Sequence, residues 1–137
     1  MLKKEEMDIL IQRAMQARKH AYAPYSGFSV GAALLTKSGN CYTGANIENA
    51  SYSPTVCAER VAFFQAIHAG ERDFVAIAVV GGKANEDAEE FCPPCGVCRQ
   101  IMTEFCKDDF VILLSNGKEI KTIPLDEILP HRFTLSK

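Results

Sequence analysis

Three cysteines and one glutamate stand out for what their side chains can do together. Cys95 and Cys98 form a C-x-x-C pair directly after Pro94, and Cys57 stands well upstream, two residues before Glu59. A C-x-x-C pair alone is compatible with a redox dithiol, half of a structural zinc site, or coincidence. Its setting narrows the choice. Cys95 opens a predicted helix, so Cys98 falls three residues on, on one face of the first turn. Cys57 opens a second predicted helix. Two helix N-termini thus present three thiols, and their partial positive charge favours thiolate, the form that binds zinc. Four protein ligands normally close a structural zinc site, whereas a catalytic one keeps a position for water. Three well-placed cysteines with no obvious fourth ligand fit the second pattern. His20, His68 and His131 are ligands only in principle, and His68 lies about three helical turns beyond Cys57.

Glu59 completes the group. A carboxylate beside a metal-bound water can take its proton and return it to a leaving group. Alone, Glu59 reads more simply as a helix-start acid favoured by the macrodipole. Beside a C-x-x-C helix start, the catalytic reading prevails.

These residues need elements to bring them together. Apolar positions at helical spacing predict an amphipathic helix over about 3–21, and Ala23-Pro24-Tyr25-Ser26-Gly27 reads as a turn. Strands are expected over 28–36 and 41–47, joined by the hairpin turn Lys37-Ser38-Gly39-Asn40. A loop at 48–56 precedes the helix expected over 57–69, which Gly70 stops. The unbroken apolar run 74–80 predicts a buried strand, followed by a charged loop over 81–90. Pro93-Pro94-Cys95 opens a helix to about Phe105. Strands at 110–114 and 119–123 and a short helix at 125–129 complete the chain. This order predicts an α/β domain with helices on both faces of a mixed sheet.

Composition restricts the alternatives. A chain of 137 residues is about one domain long and can bury a core without disulfides, so a single domain over 1–137 is expected. A net charge of -2 argues against nucleic acid as the partner, since polyanion binding usually leaves a basic surface. The first twenty residues lack the continuous apolar core of a signal peptide, and 74–80 is far too short to span a bilayer. A cytoplasmic protein without membrane contact is expected. In that compartment clustered cysteines point to metal or redox chemistry.

The motifs Cys57-Ala58-Glu59 and Pro94-Cys95-Gly96-Val97-Cys98, continuing into Arg99-Gln100, match the zinc-deaminase signature. The run Tyr25-Ser26-Gly27-Phe28-Ser29-Val30-Gly31-Ala32-Ala33, the run Gly44-Ala45-Asn46-Ile47-Glu48-Asn49-Ala50, Arg60 after Glu59, and Leu129-Pro130 extend the match over nearly the whole chain. The sequence resembles the small homotetrameric zinc-dependent cytidine deaminases. The resemblance implies a three-layer α/β/α domain with a mixed five-stranded sheet. It also implies hydrolytic deamination of free cytidine and deoxycytidine to uridine and deoxyuridine, with ammonia released, as in pyrimidine salvage. One zinc ion per subunit would sit on Cys57, Cys95 and Cys98, supplying zinc-bound hydroxide, and Glu59 would shuttle protons. Phe28 would pack on the pyrimidine, Asn46 and Glu48 would bind the ribose hydroxyls, and Ala58 would contact substrate. Tyr52 and Phe133 would reach into a neighbouring subunit's site. Arg60 would withdraw charge from the thiolates. Pro93, where a small polar residue is expected, Val61, where threonine is expected, and Cys92, close to the ligands, depart from the pattern.

Three other readings compete. A deaminase of bases within RNA or DNA needs a groove for flanking nucleotides; the near-neutral charge and the Asn46–Glu48 motif speak against it. A deaminase of a cytosine-bearing antibiotic shares the zinc motifs, and the Asn46-Ile47-Glu48-Asn49-Ala50 run favours an ordinary nucleoside. A structural zinc module needs a fourth ligand, with Cys92 the nearest candidate, and leaves Glu59 idle.

Overall fold

The computed structural model describes residues 2–137. The expected single-domain span, 1–137, begins with Met1, which lies outside the described residues. The strand expected at 28–36 forms over those residues as β1 (Phe28–Thr36). It sits between β2 (Cys41–Ala45) and β3 (Phe74–Lys83), antiparallel to both. Next come β4 (Val111–Ser115), parallel to β3, and β5 (Ile120–Pro124), antiparallel to β4. The mixed five-stranded sheet runs β2-β1-β3-β4-β5.

Successive strand residues point to opposite faces, so each buried strand feeds two cores. On one face, α1 (Lys4–Ala17) lays Leu10, Ile11 and Ala14 over Ala33, Ala76, Ala78, Val80 and Leu113. The small strand residues there let a single helix lie close. On the other face, α2 (Ala58–His68), α3 (Gly96–Phe105) and the one-turn α4 (Leu125–Ile128) cover Ala32, Leu34, Ile77, Val79, Ile112 and Leu114. Phe63 of α2 anchors this side, fully buried with Phe74 edge-on at 5.3 Å. The result is the three-layer α/β/α arrangement expected.

Boundaries differ from the sequence reading in three places that matter for the site. β3 continues to Lys83, because Gly81, Gly82 and Lys83 keep pairing with Val30, Ser29 and Phe28 after the apolar run ends. The first helix gives way after Ala17 to a single 3₁₀ turn, Arg18–His20. Residue 47 leaves β2 and instead makes isolated bridges, to Tyr22 on one side and Val56 on the other.

Candidate metal centre and active site

Cys57 and Cys95 occupy the same position in their helices. Each is the extended residue immediately before the first turn, Cys57 at φ -77, ψ 155 before α2 and Cys95 at φ -68, ψ 167 before α3. The side chain of such a residue leans toward the unpartnered N–H groups of the helix start. Cys98, three residues past Cys95, comes up on the same side and is buried. Gly44 of β2 lets α2 approach: a Cβ there would stand 2.4 Å from the Ala58 carbonyl oxygen, one residue past Cys57. Arg99 fixes the other helix start, donating through Nε to the Pro94 carbonyl (2.8 Å) and through Nη1 to that of Ile128 (2.8 Å).

The three sulfurs lie within 4.8 Å of one another, the one such His, Cys, Asp or Glu group among the described residues. Cys57 Sγ and Cys95 Sγ are 3.8 Å apart. A tetrahedron with Zn–S arms of ~2.3 Å has an edge of ~3.8 Å, so the spacing fits zinc. The donor set fits too: thiolate is a soft ligand suited to zinc. The hydrogen bond from Cys98, aided by Arg60 and Cys95, brings the Cys57 thiol down to about 5, while Cys98, the donor in that bond, moves up. Arg60 Nη2 reaches Cys57 Sγ at 3.4 Å, and its buried Nε has no hydrogen-bond partner. The guanidinium is thus directed at the sulfur cluster.

Glu59 lies in the first turn of α2 with 4% of its surface exposed. Burial pushes its carboxyl up to about 7, with the Cys57 charge adding to the rise. Zn²⁺ on three thiolates leaves a net negative centre, which reinforces that direction. Cys92 stays out of the sulfur group; burial and then the charges of Glu59 and Cys57 raise its thiol to about 11. All six cysteines are free thiols.

The residues expected at the nucleoside are laced to this centre through the backbone. Ile47 and Val56 exchange N–H···O bonds of 3.0 Å, which places Asn46 and Glu48 on either side of a residue bridged to Val56, the residue before Cys57. Glu48 N–H donates to the Tyr22 carbonyl (2.8 Å), drawing in the 22–28 segment. The Glu48 carboxylate accepts from the Tyr25 N–H (2.9 Å), the Ser26 N–H (3.1 Å) and the Ser26 hydroxyl. That hydroxyl bond in particular holds its carboxyl below the usual range, so it stays an anionic acceptor. Asn46 bridges β1, accepting from Val30 N–H (2.8 Å) and donating to the Phe28 carbonyl (2.9 Å); one amide hydrogen remains for a ligand. The Ala58 methyl is in the core, leaving its main-chain N–H in the first helical turn as what it can offer.

Phe28 opens β1 with its ring 40% exposed. Its Cε2 lies 3.1 Å from where a Gly81 Cβ would stand, and Cys92 Sγ lies 2.7 Å from the same point. Phe28 and Cys92 thus share the bare Cα of Gly81, which brings the ring to the Glu59 side of the sheet. Tyr52 and Phe133 project outward, 79% and 69% exposed. Gln100 Nε2 donates to the Phe133 carbonyl (3.0 Å), tying the C-terminal segment to α3. Sequence reading left Arg99 and Gln100 without roles and missed Arg18, whose partners lie far along the chain. The Gly81-Gly82 pair was the available signal, since glycine within a strand marks a close approach.

Residues 4–114 match the family model for the cytidine and deoxycytidylate deaminase zinc-binding region. The chain belongs to this zinc-dependent deaminase family. It is 52% identical over 130 residues to a cytidine deaminase of Halalkalibacterium halodurans, covering 94% of this chain and 95% of the relative. The crystal structure of a cytidine deaminase from Burkholderia pseudomallei superimposes with a TM-score of 0.85 at 41% identity, covering 96% of this chain and all of that one. A blasticidin-S deaminase of Bacillus cereus is 34% identical over 108 residues, covering 77% of this chain and 76% of the relative.

Proposed function

We propose that this protein hydrolyses free cytidine and deoxycytidine to uridine and deoxyuridine, releasing ammonia. The observation that carries the reading is the convergence of three thiols at two helix starts with a buried glutamate two residues from the first. The whole-length similarity to cytidine deaminases supports the nucleoside as substrate. Shorter, weaker similarity to the antibiotic deaminase ranks second.

Cys57, Cys95 and Cys98 would hold one zinc ion. When bound, zinc acts as a Lewis acid that makes water acidic enough to attack at neutral pH. Glu59 takes the water proton and delivers it to N3 of the pyrimidine as oxygen adds to C4. It then takes the proton of the new C4 hydroxyl and passes it to the exocyclic amine; the C4–N bond breaks as the C4 carbonyl forms, and ammonia leaves. A carboxyl held near neutrality can move a proton in both directions. Arg60 balances the thiolate charge. Phe28 packs on the base, the Ala58 N–H faces it, and Asn46 and Glu48 accept or donate at the ribose hydroxyls. Tyr52 and Phe133 complete the sites of neighbouring copies in a homotetramer; their exposure supports a role outside their own chain. The chain acts as one domain. No helix among the described residues is long and apolar enough to cross a membrane, in keeping with a cytoplasmic nucleoside enzyme.

The test is conversion of cytidine to uridine by zinc-loaded protein, followed by ultraviolet absorbance with ammonia measured in parallel. Turnover abolished by a zinc chelator is expected. A folded, zinc-loaded protein that leaves cytidine intact but deaminates blasticidin S would move the assignment to the antibiotic.

A further inference from the structure

Every hydrogen bond made by the Arg18 guanidinium goes to a main-chain carbonyl at the start of β1, the end of β3 or the turn beyond. Nε donates to the Ser29 carbonyl at 3.0 Å, Nη2 to that of Lys83 at 3.1 Å, and Nη1 to that of Glu86 at 3.1 Å. Ser29 follows Phe28 directly, and Lys83 is the register partner of Phe28 across β1 and β3. Gly82, opposite Ser29, leaves the space: a Cβ there would stand 3.0 Å from Arg18 Nη2. A planar fork with several fixed donors can tie three separated carbonyls in one geometry, whereas an ammonium is a compact point charge on a flexible stem. From the other edge of β1, the Asn46 amide holds the Phe28 carbonyl and the Val30 N–H. Residues 28–30 are therefore gripped by two side chains from opposite sides. The ring they carry lies over Gly81, beside Cys92, in the space that glycine leaves.

We propose that Arg18 is a positioning residue of the substrate pocket. By clamping the first residues of β1 to the end of β3 and the turn beyond, it sets the height and angle at which the Phe28 ring meets the pyrimidine. This rests on the reading of Phe28 as the packing partner of the base. Arg18 touches neither substrate nor metal ligands and acts through Phe28.

A double-mutant cycle on the zinc-loaded enzyme tests it, with Arg18→Gln, Phe28→Ala and the pair. Arg18→Gln is expected to raise KM for cytidine on the order of tenfold, with kcat within about twofold and zinc content unchanged. Arg18→Lys is expected to shift KM the same way by roughly threefold. In the Phe28→Ala background the Arg18→Gln effect should vanish, because the ring it positions is gone. An unchanged KM in Arg18→Gln, a tenfold effect that persists without Phe28, or a loss of zinc would each overturn the proposal. If Arg18→Gln does not fold, Arg18→Lys takes its place in the cycle, and an unchanged KM there overturns it equally. Phe28→Ala with wild-type KM would overturn the Phe28 reading itself, a result visible in the single variant before any Arg18 change is considered.

Discussion

Around the three thiols this chain packs its own side chains closely: Cys98 and Glu59 are buried, Arg60 is bonded to sulfur, and Arg99 pins the loop before Cys95. On the side proposed to take the nucleoside, Phe28, Tyr52 and Phe133 are exposed. The difference follows from what each half must do. Three ligands converging on one ion must be held within fractions of an ångström, and only packed helix starts provide that rigidity. A substrate must enter and leave, so the half proposed to take it is built from loops and strand ends.

The largest expected effect breaks the comparison on the metal side. Glu59→Ala should lower kcat on the order of 10⁴-fold while metal analysis still finds one zinc per chain. The glutamate moves protons and does not hold the ion, so a variant that is zinc-loaded and active would remove it from this role.

An intermediate effect sharpens the open side. Phe133→Ala should raise KM about tenfold through the lost aromatic contact. If Phe133 serves the neighbour, subunits carrying Glu59→Ala and subunits carrying Phe133→Ala should regain turnover when refolded together, because some sites then combine an intact Glu59 with an intact Phe133. No recovery in confirmed mixed assemblies would place Phe133 and Glu59 in the same chain's site.

The smallest effect lies far from both halves and serves as their control. Hydrogen bonds from Asn40, and then from Ser38, Tyr42 and Thr36, hold the Glu71 carboxyl below 4.5. The folded state releases this proton more readily than the unfolded one. The stabilisation is therefore present above pH 4.5 and is lost as pH falls through the lowered value. Glu71→Gln should unfold slightly more easily than the parent at neutral pH, with the gap closing in acid, and cytidine kinetics should be unchanged. A gap that widens in acid would reverse the sign and reject this account.

Much of the molecule was legible from residue types alone. The 28–36 run is apolar and is bounded by Gly27 and the 37–40 turn, so its limits are local properties. Cys57, Glu59, Cys95 and Cys98 declare themselves because metal and proton chemistry admits few residue types, and helix-start signals sit beside them in the chain. What stayed hidden was long-range. The continuation of β3 through Gly81 and Gly82 depends on pairing with β1, and glycine there reads locally as loop. Arg18 looks like any basic residue ending a helix, since its carbonyl partners lie 11, 65 and 68 residues away. The chemistry of the site was thus determined by the sequence itself, because side-chain type limits which reactions are possible. Which side chains hold the pocket in place was decided only by tertiary structure, because a carbonyl acceptor is common to all residues and leaves no mark on the sequence.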